Sequence, residues 1–260
     1  MTAERAFSNG KYLLGACQEL FALLPDASVD AVITDPPYGM GKGDWDLWNA
    51  EIAMWLVAQC LRILKPTGSL YLFGRNETIA SMWGVFAPLN PRWLTWYYRN
   101  SSNINQNTWG WNSQVIVYGH CGQPVYNLDE ARVPYAQTTN TKRVQHDDTT
   151  SRFGISKNGK SDKHYNAQGR KPMDVLEWPA VTAGVAEAEG RWHPTQKPLG
   201  LLETLVKVST PQGGLVVDPF AGGATTLLAA SNTGRRFWGC EKEERFWAAG
   251  CERLQKEARG

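Results

Sequence analysis

No apolar run in this 260-residue chain approaches the roughly 18–20 residues that span a bilayer, so nothing in it reads as a membrane segment. Its five cysteines contain no Cys-x-x-Cys pair, and no secretory signal pattern precedes them. An odd set of unpaired thiols is expected to be free, in a reducing, cytoplasmic setting. Histidine is scarce, at four, and His146 and His164 have no cysteine or carboxylate at ligand spacing, so no metal site is expected. Net charge is small, 27 lysines and arginines against 25 acids, which leaves no global field to attract a polyanion. No internal repeat and no low-complexity tract appears. Gly-x-Gly-x-x-Gly and Gly-Lys-Ser/Thr are also missing, which disfavours diphosphate and triphosphate ligands.

What is present is concentrated in two stretches. In the first, the β-branched run Val32-Ile33-Thr34 stops at Asp35-Pro36-Pro37-Tyr38-Gly39. Neither proline has an N–H, so neither continues a helix or a central strand. Asp35 therefore falls where a strand ends and the chain turns out, the edge at which open α/β sheets bind ligands. The result is a stiff device presenting a carboxylate, one or two carbonyls and an aromatic ring. Such a device suits an exocyclic amine on a nucleobase, whose lone pair is delocalised. Two acceptors binding its two hydrogens free the lone pair and stabilise the positive charge that alkylation develops. Tyr38 would stack on the extruded base. A plain Asx-turn at an edge strand, with Tyr38 as packing, explains the same residues without chemistry.

In the second stretch, Leu215 to Asp218 reads as a strand, Pro219-Phe220-Ala221-Gly222-Gly223-Ala224 as a turn, and Thr225 onward as a helix ending near Gly234. A further strand, Arg236 to Cys240, ends in Glu241. A β-α-β unit with glycines in its first turn and an acid about 20 residues on is the plan of a nucleoside site, the acid accepting from ribose hydroxyls. Asp218 is ill suited to an anion and well suited to an ammonium or sulfonium, which points to S-adenosylmethionine. A purely structural β-α-β corner is the alternative.

Asp35-Pro36-Pro37-Tyr38, His193-Pro194-Thr195-Gln196-Lys197-Pro198 and Asp218-Pro219-Phe220-Ala221-Gly222, in that order, resemble the β class of amino-group DNA methyltransferases, which act on adenine N6 or cytosine N4. The likeness covers roughly residues 10–120 and 190–255. It implies S-adenosylmethionine as cofactor, double-stranded DNA as substrate and, in a restriction–modification setting, a cognate endonuclease as partner. It implies a catalytic set of Asp35, Pro36, Pro37 and Tyr38. It also implies a cofactor site lined by Asp35, His193, Thr195, Lys197, Asp218, Pro219, Phe220, Ala221, Gly222, Gly223, Thr225 and Glu241, with Lys197 against the cofactor's carboxylate. Where the family commonly has an acid after the glycine at Gly15, this chain has Ala16, and Gly223-Ala224 stand where it often has Ser-Gly.

Between the two stretches, the periodicity predicts a helix through Ile52, Leu56, Cys60 and Ile63, a strand at Leu70 to Phe73, a helix over 77–87 and strands at 93–98 and 115–118. Gly39 to Trp48 reads as a glycine-rich lid or an untidy surface turn. Asn103 to Asn112 mixes amides with Trp109 and Trp111, side chains that read or wedge beside bases, or simply coat a loop. From about Gly119 to Gly190 the apolar periodicity is lost. There Lys142, Arg143, Arg152, Lys157, Lys160, Lys163, Arg170 and Lys171 stand against Asp147, Asp148 and Asp162, a local positive excess expected to contact DNA phosphates.

The expected fold is α/β, a doubly wound, mostly parallel, seven-stranded Rossmann-like methyltransferase sheet carrying an inserted target-recognition region. Residues 1–118 would form the catalytic half, 119–190 the insertion and 191–260 the cofactor half. Asp35 and Asp218 lie 183 positions apart, and they meet only if their strands are neighbours. The chemistry expected is direct methyl transfer to adenine N6, in a monomer or homodimer. With no Pro-Cys pair, cysteine attack on cytosine C5 is disfavoured. Cytosine N4 is the runner-up acceptor, with an inactive DNA-binding scaffold or an RNA or protein-amide acceptor behind it.

Overall fold

The computed structural model describes residues 3–39, 48–100, 109–133, 169–182 and 193–257. The chain divides into two compact units, one of Met1–Asn127 with Met173–Gly260, the other Leu128–Pro172. In the second, the described residues include an antiparallel bridge between Val133 and Arg170, with Arg132 donating to the Gly169 carbonyl at 2.8 Å.

The first unit is built on one sheet. Its strands are β1 (Ala3–Phe7), β2 (Gly10–Leu14), β3 (Val29–Thr34), β4 (Leu64–Gly74), β5 (Arg92–Tyr97), β6 (Ser113–His120), β7 (Val175–Glu177), β8 (Leu215–Asp218) and β9 (Arg236–Glu241). Their order across the sheet is β1-β2-β9-β8-β3-β4-β6-β5-β7. The run β2-β9-β8-β3-β4 is parallel throughout, while β1 on β2 and β6 on β4 and β5 are antiparallel. The order reverses between β8 and β3: one continues to β9 on its outer side, the other to β4. At such a switch point the connecting loops part and leave a crevice at the strands' carboxyl ends.

Strand β3 is buried at all six positions, as a central parallel strand covered on both faces must be. One face carries Ile33, Tyr71, Phe73 and Ile116 under the helices α4 (Leu199–Ser209), α5 (Thr225–Asn232) and α6 (Glu244–Glu257). The other carries Val32, Leu70, Leu72 and Val117 under α1 (Cys17–Leu23) and α2 (Ala50–Ile63). Helix α2 starts where the Asn49 side chain accepts from the Ile52 N–H at 2.9 Å. It buries Ala53, Leu56, Val57, Cys60 and Ile63, each large side chain contributing ~1.5–3 kcal/mol relative to exposure.

The helix expected over 77–87 is instead two pieces, α3 (Asn76–Ser81) and a 3-10 helix over Trp83–Leu89. Gly84 weakens an α-helical register there, and Pro88 lacks the N–H that would continue one. The sheet has nine strands rather than seven, because β1 and the three-residue β7 extend its two edges. Strand β7 comes from within 119–190, the stretch without apolar periodicity, and pairs with β5 at Thr95–Tyr97. All five cysteines are free. Among the described residues no helix is long and apolar enough to cross a membrane.

Candidate active site

Asp35 leaves the end of β3 directly beside β8, whose last residue is Asp218. The pairing Ala31↔Val216 and Val32↔Val217 brings the two motifs to adjacent strand ends. Thr34, the last residue of β3, donates its hydroxyl to Asp218 Oδ1 at 2.8 Å and ties the two ends together. Asp218 Oδ1 also accepts from the Phe220 N–H at 3.0 Å. Burial raises its carboxyl from 3.8 to about 6; hydrogen bonds from Thr226, Phe220 and Thr34 oppose the rise, and the Asp35 charge adds to it. Asp218 is thus a buried brace of the turn, 3 % exposed, with its carboxylate engaged by donors from β3, the turn and α5.

The Gly-rich turn is held from four directions. Tyr12 of β2 donates its hydroxyl to the Gly222 carbonyl at 2.5 Å. Arg253 of α6, fully buried, donates to the Gly223 carbonyl at 2.8 Å and to Thr225 Oγ1 at 2.7 Å. Glu241 of β9 accepts the Gly222 N–H at 2.9 Å and the Glu243 N–H at 2.7 Å. The Ala221 N–H donates to the Cys240 carbonyl at 2.9 Å. Gly222 is left-handed, with φ at 51°, and an added Cβ would lie 3.5 Å from the His193 ring. Ala224 takes the same left-handed region, φ 61°, just before α5, an unusual backbone for a residue with a Cβ. Glu241 is raised by burial, against which the backbone N–H groups of Glu243, Gly222 and Lys242 act.

The third motif closes on the first. Lys197, one residue before the N-cap of α4 and 8 % exposed in its side chain, places its ammonium on Asp35 Oδ2. The same nitrogen is 3.3 Å from the Tyr38 hydroxyl, which in turn donates to Asp35 Oδ1. Gln114 of β6 donates its amide to that hydroxyl. Both Asp35 oxygens therefore have partners, Lys197 on one and Tyr38 on the other. Burial first, then the Asp35 charge, push the Tyr38 phenol well above its ordinary value. His193 packs edge-on against Phe246 with ring centroids 4.2 Å apart, and its Nδ1 lies 3.1 Å from the Thr195 hydroxyl. Thr195 is exposed.

Several expectations meet their geometry here. Asp35, Pro36, Pro37, Tyr38 and Lys197 form one cluster, while Asp218 to Thr225 and Glu241 form the adjoining turn. Lys197, set by resemblance against the cofactor's carboxylate, here sits on Asp35. Tyr12, Gln114 and Arg253 carry no motif signal, and only the sheet order brings them in. Trp109 is 93 % exposed and Trp111 49 %, just before β6. Residues 40–47 of the glycine-rich connector and Asn103 to Thr108 lie outside the described residues, as do Lys142, Arg143, Arg152, Lys157, Lys160 and Lys163. Arg170 is half-buried at its bridge and Lys171 is exposed.

Comparison with known proteins gives the family and the fold. The sequence profile of the DNA methylase family, N6/N4 type, matches residues 29–250. The DNA adenine methyltransferase YhdJ of Escherichia coli is 31 % identical over 242 residues, 89 % of this chain and 78 % of that protein. The type II methyltransferase M.HpaI of Haemophilus parainfluenzae is 27 % identical over 253 residues, 91 % of this chain and 71 % of the relative. Among solved structures, the M1.HpyAVI–SAM complex shares the fold with a TM-score of 0.60 at 20 % identity, covering 94 % of this chain and 100 % of that one. The cytosine-N4-specific PvuII DNA methyltransferase does so with a TM-score of 0.68 at 16 % identity, covering 96 % and 87 %.

Proposed function

We propose a function from one premise: this chain belongs to the N6/N4 DNA methylase family. It is a DNA methyltransferase using S-adenosylmethionine, and the acceptor we assign is the N6 amino group of an adenine flipped from the duplex. The observation that carries the reading is the Asp35 carboxylate at the switch point, held by Tyr38 and Lys197 beside the Asp218 turn. Adenine is favoured because aspartate at the head of the motif resembles the adenine-N6 enzymes. The 31 % identical relative is, moreover, named as an adenine methyltransferase.

The cofactor side fits a nucleoside with a cationic centre. Three carboxylates, Asp35, Asp218 and Glu241, end adjacent or near-adjacent strands at one edge, a donor set that repels phosphate. Gly222 leaves backbone rather than side chain at the turn. Glu241, fixed by two backbone N–H groups, is the acceptor for ribose hydroxyls. When bound, S-adenosylmethionine supplies an electrophilic methyl group on its sulfonium. Asp35 and the Pro36 carbonyl accept the two hydrogens of the target amine, which directs its lone pair away from the ring. The amine, its lone pair freed, would take that methyl group, and Asp35 would accept the proton the amine then loses. Tyr38 presents its ring to the extruded base. Residues 119–190, with eight cations between Thr138 and Lys171, take the target-recognition role, and a cognate restriction endonuclease is the protein partner this reading adds.

Incubation with unmethylated DNA and S-adenosylmethionine, followed by digestion and nucleoside mass spectrometry, tests this. N6-methyladenine is expected. N4-methylcytosine would overturn the base assignment, and no mark at all would overturn the acceptor. Asp35→Ala is expected to abolish turnover while calorimetric cofactor affinity is little changed. Near-normal activity in that variant would remove Asp35 from the mechanism.

A further inference from the structure

The Tyr38 hydroxyl is gripped from a strand that belongs to none of the three motifs. Gln114 lies on β6 opposite Trp96 of β5. By strand alternation it shares a face with Ile116 and Tyr118, both buried in the core under α4. Those two pack into the core. Gln114 is the half-buried amide at which their row reaches the edge carrying Asp35.

The phenol has one proton, and its neighbours decide where that proton points. An ionised carboxylate accepts only, so the phenol O–H points at Asp35 Oδ1. The remaining phenol lone pairs then require donors. The Gln114 amide supplies one and the Lys197 ammonium, at 3.3 Å, another. The backbone beneath Tyr38 is already stiffened by Pro36 and Pro37, so the freedom left is rotation of the side chain about χ1 and χ2. A donor at the far end of the ring removes it.

Resting on the methyltransferase reading above, we propose that Gln114 is a positioning residue of the methyl-transfer site. It sets the plane of the Tyr38 ring and, through the phenol, the rotamer of Asp35 against the target amine. Misplacement of a reacting group by about 1 Å costs on the order of a hundredfold in rate. A rim amide that merely caps a strand would not produce such a loss.

The test is a double-mutant cycle with Tyr38→Phe, which keeps the ring and deletes the hydroxyl. Gln114→Leu removes the donor at similar length. Alone it is expected to lower kcat about ten- to a hundredfold, with KM for DNA, cofactor affinity and Tm little changed. On the Tyr38→Phe background it is expected to add less than about twofold, since the group it acts through is gone. Gln114→Met serves the same cycle if the leucine variant does not fold. Full additivity, or an unchanged kcat in the single variant, overturns the proposal while leaving the methyltransferase reading standing. A wild-type enzyme that marks no DNA overturns both.

Discussion

Lys197 is held in a nearly dry box. Its ammonium lies 5.3 Å from the centroid of Phe73, 5.8 Å from Tyr38 and 5.9 Å from Trp96, with Asp35 as its anionic partner. Aromatic faces and a carboxylate together hold a cation that water barely reaches. Lys197→Met would leave Asp35 without its counter-charge, and kcat is expected to fall about a hundredfold or more with cofactor affinity nearly unchanged. Equilibrium binding beside steady-state rates checks this. Weakened cofactor binding with kcat kept would return Lys197 to the cofactor's carboxylate. Asp218 makes a separate residue-scale prediction. Its carboxyl titrates near 6 in the folded chain against an ordinary 3.8, so folding favours the protonated form. The stability it contributes is complete below the ordinary value and lost as pH rises through about 6. Relative to Asp218→Asn, the wild type should therefore lose on the order of 2 kcal/mol between about pH 4 and about pH 7, read from denaturant melts. A constant difference across that range would sink the assignment. Asp35 was legible in the sequence because two prolines mark a strand end. The partner of Lys197 was not, since 162 positions separate it from Asp35 and only the folded sheet joins them.

At the scale of elements, the Gly-rich turn shows how a short segment borrows rigidity. Its Gly222 and Gly223 carbonyls and its Ala221 and Gly222 N–H groups are taken by β2, α6 and β9, so the turn's shape depends on three elements outside it. Tyr12→Phe deletes one tie and leaves the Gly222 carbonyl beside a buried ring. We expect a stability loss of about 1–2 kcal/mol together with weaker cofactor binding, because the same carbonyl shapes the turn. Calorimetry on the folded variant separates the two effects. If affinity is unaffected, the tie serves stability alone. Elements with strong periodicity, such as α2, were readable from spacing, and so was β8-turn-α5-β9. The failures have physical causes. The exposed edge strand β1 has three of five residues facing solvent, and β7 has only three residues, so neither carries a pattern of its own. Their strand state comes from the neighbours they pair with.

Across the whole molecule, the prediction that mattered most was that Asp35 and Asp218 meet, and the β3–β8 pairing brings them together. It was legible because two strand–turn motifs bound to one chemistry leave few ways to build an α/β sheet. How DNA is drawn to that edge is a question of charge. Of the 27 lysines and arginines, eight lie between Thr138 and Lys171, with three of the 25 acids, which leaves the rest of the chain 19 cations against 22 acids. The remainder is net negative and cannot by itself attract a polyanion, so phosphate contacts should come chiefly from that segment. Six of the eight fall outside the described residues, and charge alone carries the expectation. If roughly six phosphates are neutralised, log Kobs for DNA should fall with log salt at a slope of about −5. Replacing Lys142, Arg143, Arg152, Lys157, Lys160 and Lys163 with glutamine should flatten that slope toward zero and weaken binding to all sequences alike. S-adenosylmethionine affinity should be untouched, because the cofactor turn lies in the other unit. A slope that survives the replacement would mean that cations elsewhere in the chain neutralise the phosphates and would overturn the assignment to this segment. Binding that persists with the slope gone would rest instead on hydrogen bonds and stacking, for which exposed Trp109 and Trp111 are the first residues to substitute.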